Sequence, residues 1–331
     1  MKFIQLNCDY VDSTVISTAE EEKVKVIYQQ ISPHAFVETK TSKVSVISKE
    51  ERLINPTFQH IFWFSVLFFF LLTGIDFSAN SQQVKRIISL APSITENLYL
   101  IGAQDKLVGC TSYCTLAVKD GVQQVGSTID FNIEKILMLK PDLVITMQLT
   151  KPQDVEAMRK LGINIKVFYT PKDFNEICLQ NLEIARLTGN VAASEKAIAK
   201  AKYQVDSLKN VMKSYSKKKV FFQLGANPIF AVLQHTFLND YIIFCNAENI
   251  VDGMKTGIIS RESVMSKNPD VIFVATMGGY GAEEKKVWES YKGLKAAETG
   301  SIFLIESETS CSPTPDNFAK AFADVVKCMK K

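Results

Sequence analysis

Two segments of the chain carry the same order of apolar and polar positions. Asn132 to Thr146 reads NIEKILMLKPDLVIT, and Ser260 to Val274 reads SRESVMSKNPDVIFV. Each opens on a helix-capping residue type, places Glu two positions later and continues through apolar positions at helical spacing. Each then breaks at Pro-Asp before an apolar stretch of strand length. Repetition of such a unit far along the chain predicts two copies of one supersecondary arrangement.

The surrounding pattern extends both copies. Around the first, KRIISLA (Lys85 to Ala91), KLVGCTS, DLVIT and INIKVFYT are short apolar runs, and PQDVEAMRKLG has helical spacing with a Gly stop. Ser93 and Glu96 have the spacing of a capping box at the head of ENLYLIGA. Around the second, KKKVFFQLG answers VKRIISLA, DVIFVAT answers DLVIT, and GSIFLIE answers GINIKVFYT. Strands alternating with helices predict a mostly parallel sheet in each half. Between the halves, Thr188 to Lys218 holds no Pro and keeps Ala, Lys, Val and Leu at helical spacing. At about 1.5 Å per residue, a helix taking up most of this stretch would be roughly 35–40 Å long. The expected fold is α/β: two similar parallel-sheet lobes joined by one long α-helix. Its parts are an N-terminal lobe over 84–188, an interlobe helix over 189–217 and a C-terminal lobe over 218–331. Ligands of open parallel sheets sit beyond the carboxyl ends of the strands, so two facing lobes would share one cleft.

Composition adds exclusions. The 331 residues carry a formal charge of +3, and the densest basic cluster, Lys217 to Lys219, only precedes a strand, so no nucleic-acid partner is expected. Ile61 to Ile75 is an unbroken apolar block. Its reach of about 22 Å falls short of the roughly 30 Å hydrocarbon core and suits a secretory signal. Ala79-Asn80-Ser81 supplies the small residues of a cleavage site before Gln82. Residues 56–81 are therefore expected to act as a signal peptide or as an uncleaved anchor, the latter making a membrane-tethered ligand sensor. Residues 1–55 are polar and rich in Lys, Glu, Ser and Thr, and are expected to be a leader outside the working protein.

Catalytic signatures do not emerge. No GxSxG elbow, HExxH helix, P-loop or GxGxxG turn occurs, and MGGYGAEE (Met277 to Glu284) lacks a P-loop Lys and reads as a cleft-rim loop. Beyond Gln82 the single His, His235, cannot make a zinc or manganese site alone, and Cys110 and Cys114 are a weak C-x-x-x-C pair. No enzyme, resident cofactor or metal is expected.

Four blocks together carry a resemblance: RIISLAPSITENLYLIGA with LVGCTSYC, VGSTIDFNIEKILMLKPDLVIT, KKKVFFQLGANPIF with NAENIV, and SRESVMSKNPDVIFV. They resemble the periplasmic substrate-binding proteins of ABC importers for cobalamin, haem and iron-siderophores, with the cobalamin branch nearest, across almost all of 84–331. The resemblance implies a monomer in the periplasm that holds a chelate between its lobes and hands it to an inner-membrane permease. It implies that Glu134 and Glu262 dock on permease arginines; alone, a Glu in a first helical turn needs no partner, because it already stabilises the helix dipole. It implies a disulfide between Cys245 and Cys328. It also implies a cleft lined by Tyr113, Thr128, Met147, Leu224, Phe230, Thr256, Glu308 and Thr309. Tyr113 and Phe230 keep aromatic character there, whereas Thr128, Met147, Thr256 and Thr309 stand where the cobalamin branch carries tryptophan. Arg is scarce after Gln82 (Arg86, Arg159, Arg186 and Arg261) and absent from these positions, which counts against anionic siderophores. Ser127 and Thr128 stand where haem binders of the group present Tyr. A corrinoid or another large, largely neutral chelate ranks first.

Overall fold

Strands buried on both faces read as near-continuous apolar runs, and the central strands here follow that rule apart from the buried polar residues Ser89, Thr146 and Gln223. The computed structural model describes residues 84–275 and 279–331, which belong to one unit, Ser78–Lys331. The segments expected to be a leader and a signal or anchor lie outside the described residues. Among the described residues no helix is long and apolar enough to cross a membrane.

In the first sheet, β1 (Ile87–Ser89), β2 (Leu107–Thr111), β3 (Gln124–Gly126), β4 (Leu143–Met147) and β5 (Ile165–Phe168) lie in the order β3-β2-β1-β4-β5. All its pairings are parallel. Side chains alternate between two cores. Ile87, Leu143, Ile145 and Met147 enter one apolar cluster with Leu98 and Ile184, while Ile88 and Val144 enter another with Ile136 and Met158.

The second sheet repeats the plan around β6 (Lys219–Ala226), with β7 (Ile229–Ala231), β8 (Glu248–Asn249), β9 (Val271–Ala275) and β10 (Ile302–Ile305). Its path is β10-β9-β6-β7, and β8 also pairs with β6. β7 is antiparallel to β6, so this sheet is only mostly parallel. Again the faces separate: Val220, Phe222, Val271 and Phe273 pack on one side, and Phe221, Ile272 and Val274 pack with Trp288 on the other.

The repeated unit does the same work in each lobe. Asn132 caps the Ile133–Met138 helix by accepting the Lys135 N–H at 2.9 Å, and Ser260 caps the Arg261–Lys267 helix through the Ser263 N–H at 3.2 Å. Each helix gives way to a residue with φ 44°, Lys140 or Asn268, before Pro-Asp. The Asp then ties the entry of the central strand. Asp142 Oδ2 accepts from the N–H groups of Lys85 and Arg86, both at 2.9 Å, and Asp270 Oδ2 accepts from the Lys219 N–H at 2.6 Å.

Two long helices join the sheets. Phe174–Thr188 stops at Gly189, whose φ of 77° is left-handed, and Val191–Met212 follows. The second helix has 22 residues, about 33 Å. It is shorter than the unbroken helix expected over 189–217, because the chain turns out through the polar Ser214–Ser216 stretch. The C-terminal helix, Pro315–Met329, packs against it.

A polar chain threads this junction. Asn97, Asn181 and Ser194 are fully buried. The Asn97 amide donates to the carbonyls of Ser93 (2.8 Å) and Pro313 (3.2 Å), and its oxygen accepts from Asn181 (2.7 Å). Asn181 in turn accepts from the Ser194 hydroxyl at 2.6 Å.

Two expectations change here. Ser93 and Glu96 form no capping box. Pro92 already occupies the first helical position of Pro92–Leu100, so Ser93 lies inside the helix, and Ala91 caps without a side-chain bond. Gly281–Glu289 is helical, so the second half of MGGYGAEE is not loop; Met277 and Gly278 lie outside the described residues.

Candidate functional site

Parallel strands deliver their following residues to one edge, and that edge builds a cavity of about 560 Å³. Each of the five strands of the first sheet contributes at its carboxyl end: Pro92 and Ser93 after β1, Tyr113 after β2, Thr128 after β3, Met147 closing β4, and Thr170 after β5. The opposite wall comes from the C-terminal half, chiefly Ser307 to Pro313 beyond β10, with Phe237. Tyr113 and Leu149 are respectively 64% and 68% exposed although large and apolar. Such open apolar surface in a concave site fits a ligand seat.

Of the residues the resemblance placed in the cleft, Tyr113, Thr128, Met147 and Glu308 line this cavity. The other four lie off its lining. Leu224 is partly buried against the core beneath the second sheet. Phe230 sits on the short antiparallel strand β7, bridged to Ile258. Thr256 is exposed in the loop before Ile258. Thr309 gives its N–H to Glu306 at 2.7 Å and faces a separate hollow with Leu304 and Cys328.

Ser93 and Glu96 both line the cavity although sequence reasoning assigned them to a capping box, and Glu96 carries the charge. Its Oε2 accepts from Ser312 Oγ at 2.7 Å and from Asn317 Nδ2 at 2.5 Å, both in the C-terminal half. Burial pushes its carboxyl up, those two bonds oppose the shift, and the charges of Glu308 and Glu306 add to it. Glu306 behaves oppositely. Burial works against its charge, but the N–H groups of Glu308 and Thr309 outweigh burial and hold its carboxyl below the usual range. Cys311, also on the lining, is pushed up by burial and stays a thiol.

Glu134 and Glu262 are both exposed, one on each lobe's repeated helix. The Glu262 carboxyl is held below its ordinary value, first by its own backbone N–H and then by the Ser260 hydroxyl. Cys245 and Cys328 correct an expectation: both are free thiols. Cys245 is buried in the core, and burial pushes its thiol up to about 12. Cys328 lies instead in the outer hollow beside Leu304 and Asp324. Among the described residues no group of three or more His, Cys, Asp or Glu is placed to hold a metal ion.

Comparison with known proteins agrees with this geometry. Residues 87–309 match the family described as periplasmic binding protein. The vitamin B12-binding protein of Yersinia pestis (strain Pestoides F) is 31% identical over 200 residues, covering 59% of this chain and 71% of that protein. The crystal structure of the periplasmic vitamin B12-binding protein of Vibrio cholerae aligns with a TM-score of 0.64 at 28% identity, over 75% of this chain and 97% of that one. A possible iron-binding periplasmic solute-binding protein from Staphylococcus epidermidis aligns with a TM-score of 0.67 at 25% identity, over 76% and 100%.

Proposed function

The chain belongs to the periplasmic binding protein family, and we propose that it captures a large chelate, a corrinoid first, and delivers it to an ABC permease without transforming it. The observation that carries this reading is the cavity itself. It is fed by all five strands of one lobe and closed by the Ser307–Pro313 segment of the other, in a chain whose relatives include vitamin B12-binding proteins. Tyr113, Met147 and Leu149 supply apolar contact for a flat ring, and Ser93, Thr128 and Ser312 supply hydroxyls for its polar rim. Leu224, Phe230, Thr256 and Thr309, being off this lining, would touch only the ligand's outer parts or none of it.

Delivery rests on Glu134 and Glu262, which would meet a permease at two points and so fix orientation as well as steer the encounter. The protein acts as a monomer in the periplasm, either freed by cleavage before Gln82 or held by the Ile61 to Ile75 block. The mature N-terminus, read by mass spectrometry, distinguishes these. An iron chelate is the second reading, favoured by the likeness to the possible iron-binding protein.

The test is native mass spectrometry of protein purified from its own cells, followed by titration with cobalamin, cobinamide and haem read by ligand absorbance. A co-purifying corrinoid mass with saturable binding is expected. Absence of saturable corrinoid binding would overturn the corrinoid assignment.

A further inference from the structure

The charged side chains on the cavity lining are two carboxylates, Glu96 and Glu308; the lining residues include no Lys, Arg or His. Glu306, kept ionised by two backbone N–H groups, stands just behind the same wall. Glu96 cannot swing away, because Ser312 and Asn317 both grip its Oε2. Like charges have thus been gathered at a partly desolvated seat: burial is the main push on the Glu96 carboxyl, and the charges of Glu308 and Glu306 add to it. A concave, low-dielectric cleft lined by one sign of charge focuses the field and favours the opposite sign in its ligand.

Resting on the reading of this cavity as the ligand seat, we propose that Glu96 and Glu308 select by charge. The cleft takes a large ring chelate with net positive charge and rejects a ring whose edge carries carboxylates. A bound cation relieves the Glu96–Glu308 repulsion, whereas an anionic edge adds a third and fourth like charge with no guanidinium or ammonium on the lining to answer it.

Two ligand pairs, each sharing one ring, test this. Aquacyanocobinamide is a monocation and dicyanocobinamide is neutral; haem carries two carboxylates and its dimethyl ester none. Affinities are measured by absorbance titration for the full chain and for Glu308→Gln and Glu96→Gln/Glu308→Gln. Glu308 is exposed, so its variant keeps the test usable should the double variant fold poorly. The expected result is a preference of about tenfold for the cationic cobinamide and for the ester, worth about 1.4 kcal/mol. Both ratios should shrink in the variants. Because the axial ligands are the same in every protein, the change of ratio between proteins isolates the charge effect.

Equal affinity within both pairs, or ratios that the variants leave unmoved, overturns charge selection while leaving chelate capture standing. Ester preferred to haem with no corrinoid binding keeps charge selection and removes the corrinoid reading. Haem bound more tightly than its ester, or no binding of either chelate class, overturns the proposal.

Discussion

Replacing Asn97 by leucine tests whether the two lobes are joined by hydrogen bonds or only by packing. Asn97 is fully buried and makes three hydrogen bonds, to the Ser93 carbonyl, the Pro313 carbonyl and the Asn181 amide. Each net bond contributes about 0.5–1.5 kcal/mol, and a buried group left without its partner costs about 1–3 kcal/mol. Asn97→Leu would strand the Asn181 amide and the Pro313 carbonyl, so the single variant should lose about 3–5 kcal/mol. Asn181→Leu should lose a similar amount, because it strands the Ser194 hydroxyl and the Asn97 oxygen. The double variant removes donor and acceptor together, so its loss should fall short of the sum by at least about 1 kcal/mol. The assay is urea unfolding followed by circular dichroism and fluorescence, with coincident curves as the check that two-state values apply. Single losses under about 1 kcal/mol, or strict additivity, would refute the buried relay.

Other parts of the structure make independent commitments. Glu134→Ala with Glu262→Ala should leave ligand affinity intact and lower ligand uptake by cells; unchanged uptake rejects the docking role. Burial lifts the Asp240 carboxyl to about 6, with Asp173 adding to the shift and the Phe174 N–H and Lys209 opposing it. The folded state therefore holds that proton more tightly, and stability should fall as pH rises from about 4 to 6 and then level. Discounted for partial exposure, the fall is about 1–2 kcal/mol. In Asp240→Asn that fall should disappear, and parallel pH profiles for the two proteins would count against it. Without reductant, an alkylating reagent should modify Cys328 in the native protein and both Cys245 and Cys328 after unfolding. Protection of both in denaturant would mean that they are bonded after all.

The parts legible in the sequence are those where burial dictates residue type. β4 and β9 are buried at every position and read as apolar runs interrupted only by Thr146. The short strands were not legible: β3 and β8 expose Gln124 and Glu248 and are held by pairing rather than by apolar content. At the site, the pattern located the strand ends, whereas Tyr113, Thr128 and Met147 were named through the family resemblance, and they line the cavity at those ends. Residues from the antiparallel β6–β7 corner could not, because their positions depend on a hairpin that the first lobe lacks. Glu96 was misread because its partners, Ser312 and Asn317, are more than 200 positions away. The signal that could have found it is Pro92, which puts Ser93 past the capping position.

The repeated unit separates into a part the fold uses and a part it does not. Asn132 and Ser260 start their helices, and Asp142 and Asp270 receive the N–H groups that begin the central strands, so a two-sheet fold has direct reason to repeat them. Glu134 and Glu262 are different. Among the described residues neither takes part in an ion pair, both are exposed, and the Glu262 carboxylate is held chiefly by its own N–H and its own helix cap, with Arg261 adding a little. Each can interact favourably with its helix dipole, and Asp or many alternatives in that turn would do the same. Repetition at the same offset on two lobes is thus under-explained by stability alone. The docking partner proposed above would supply the missing reason, and the double alanine variant separates the two explanations because only the second links these carboxylates to uptake.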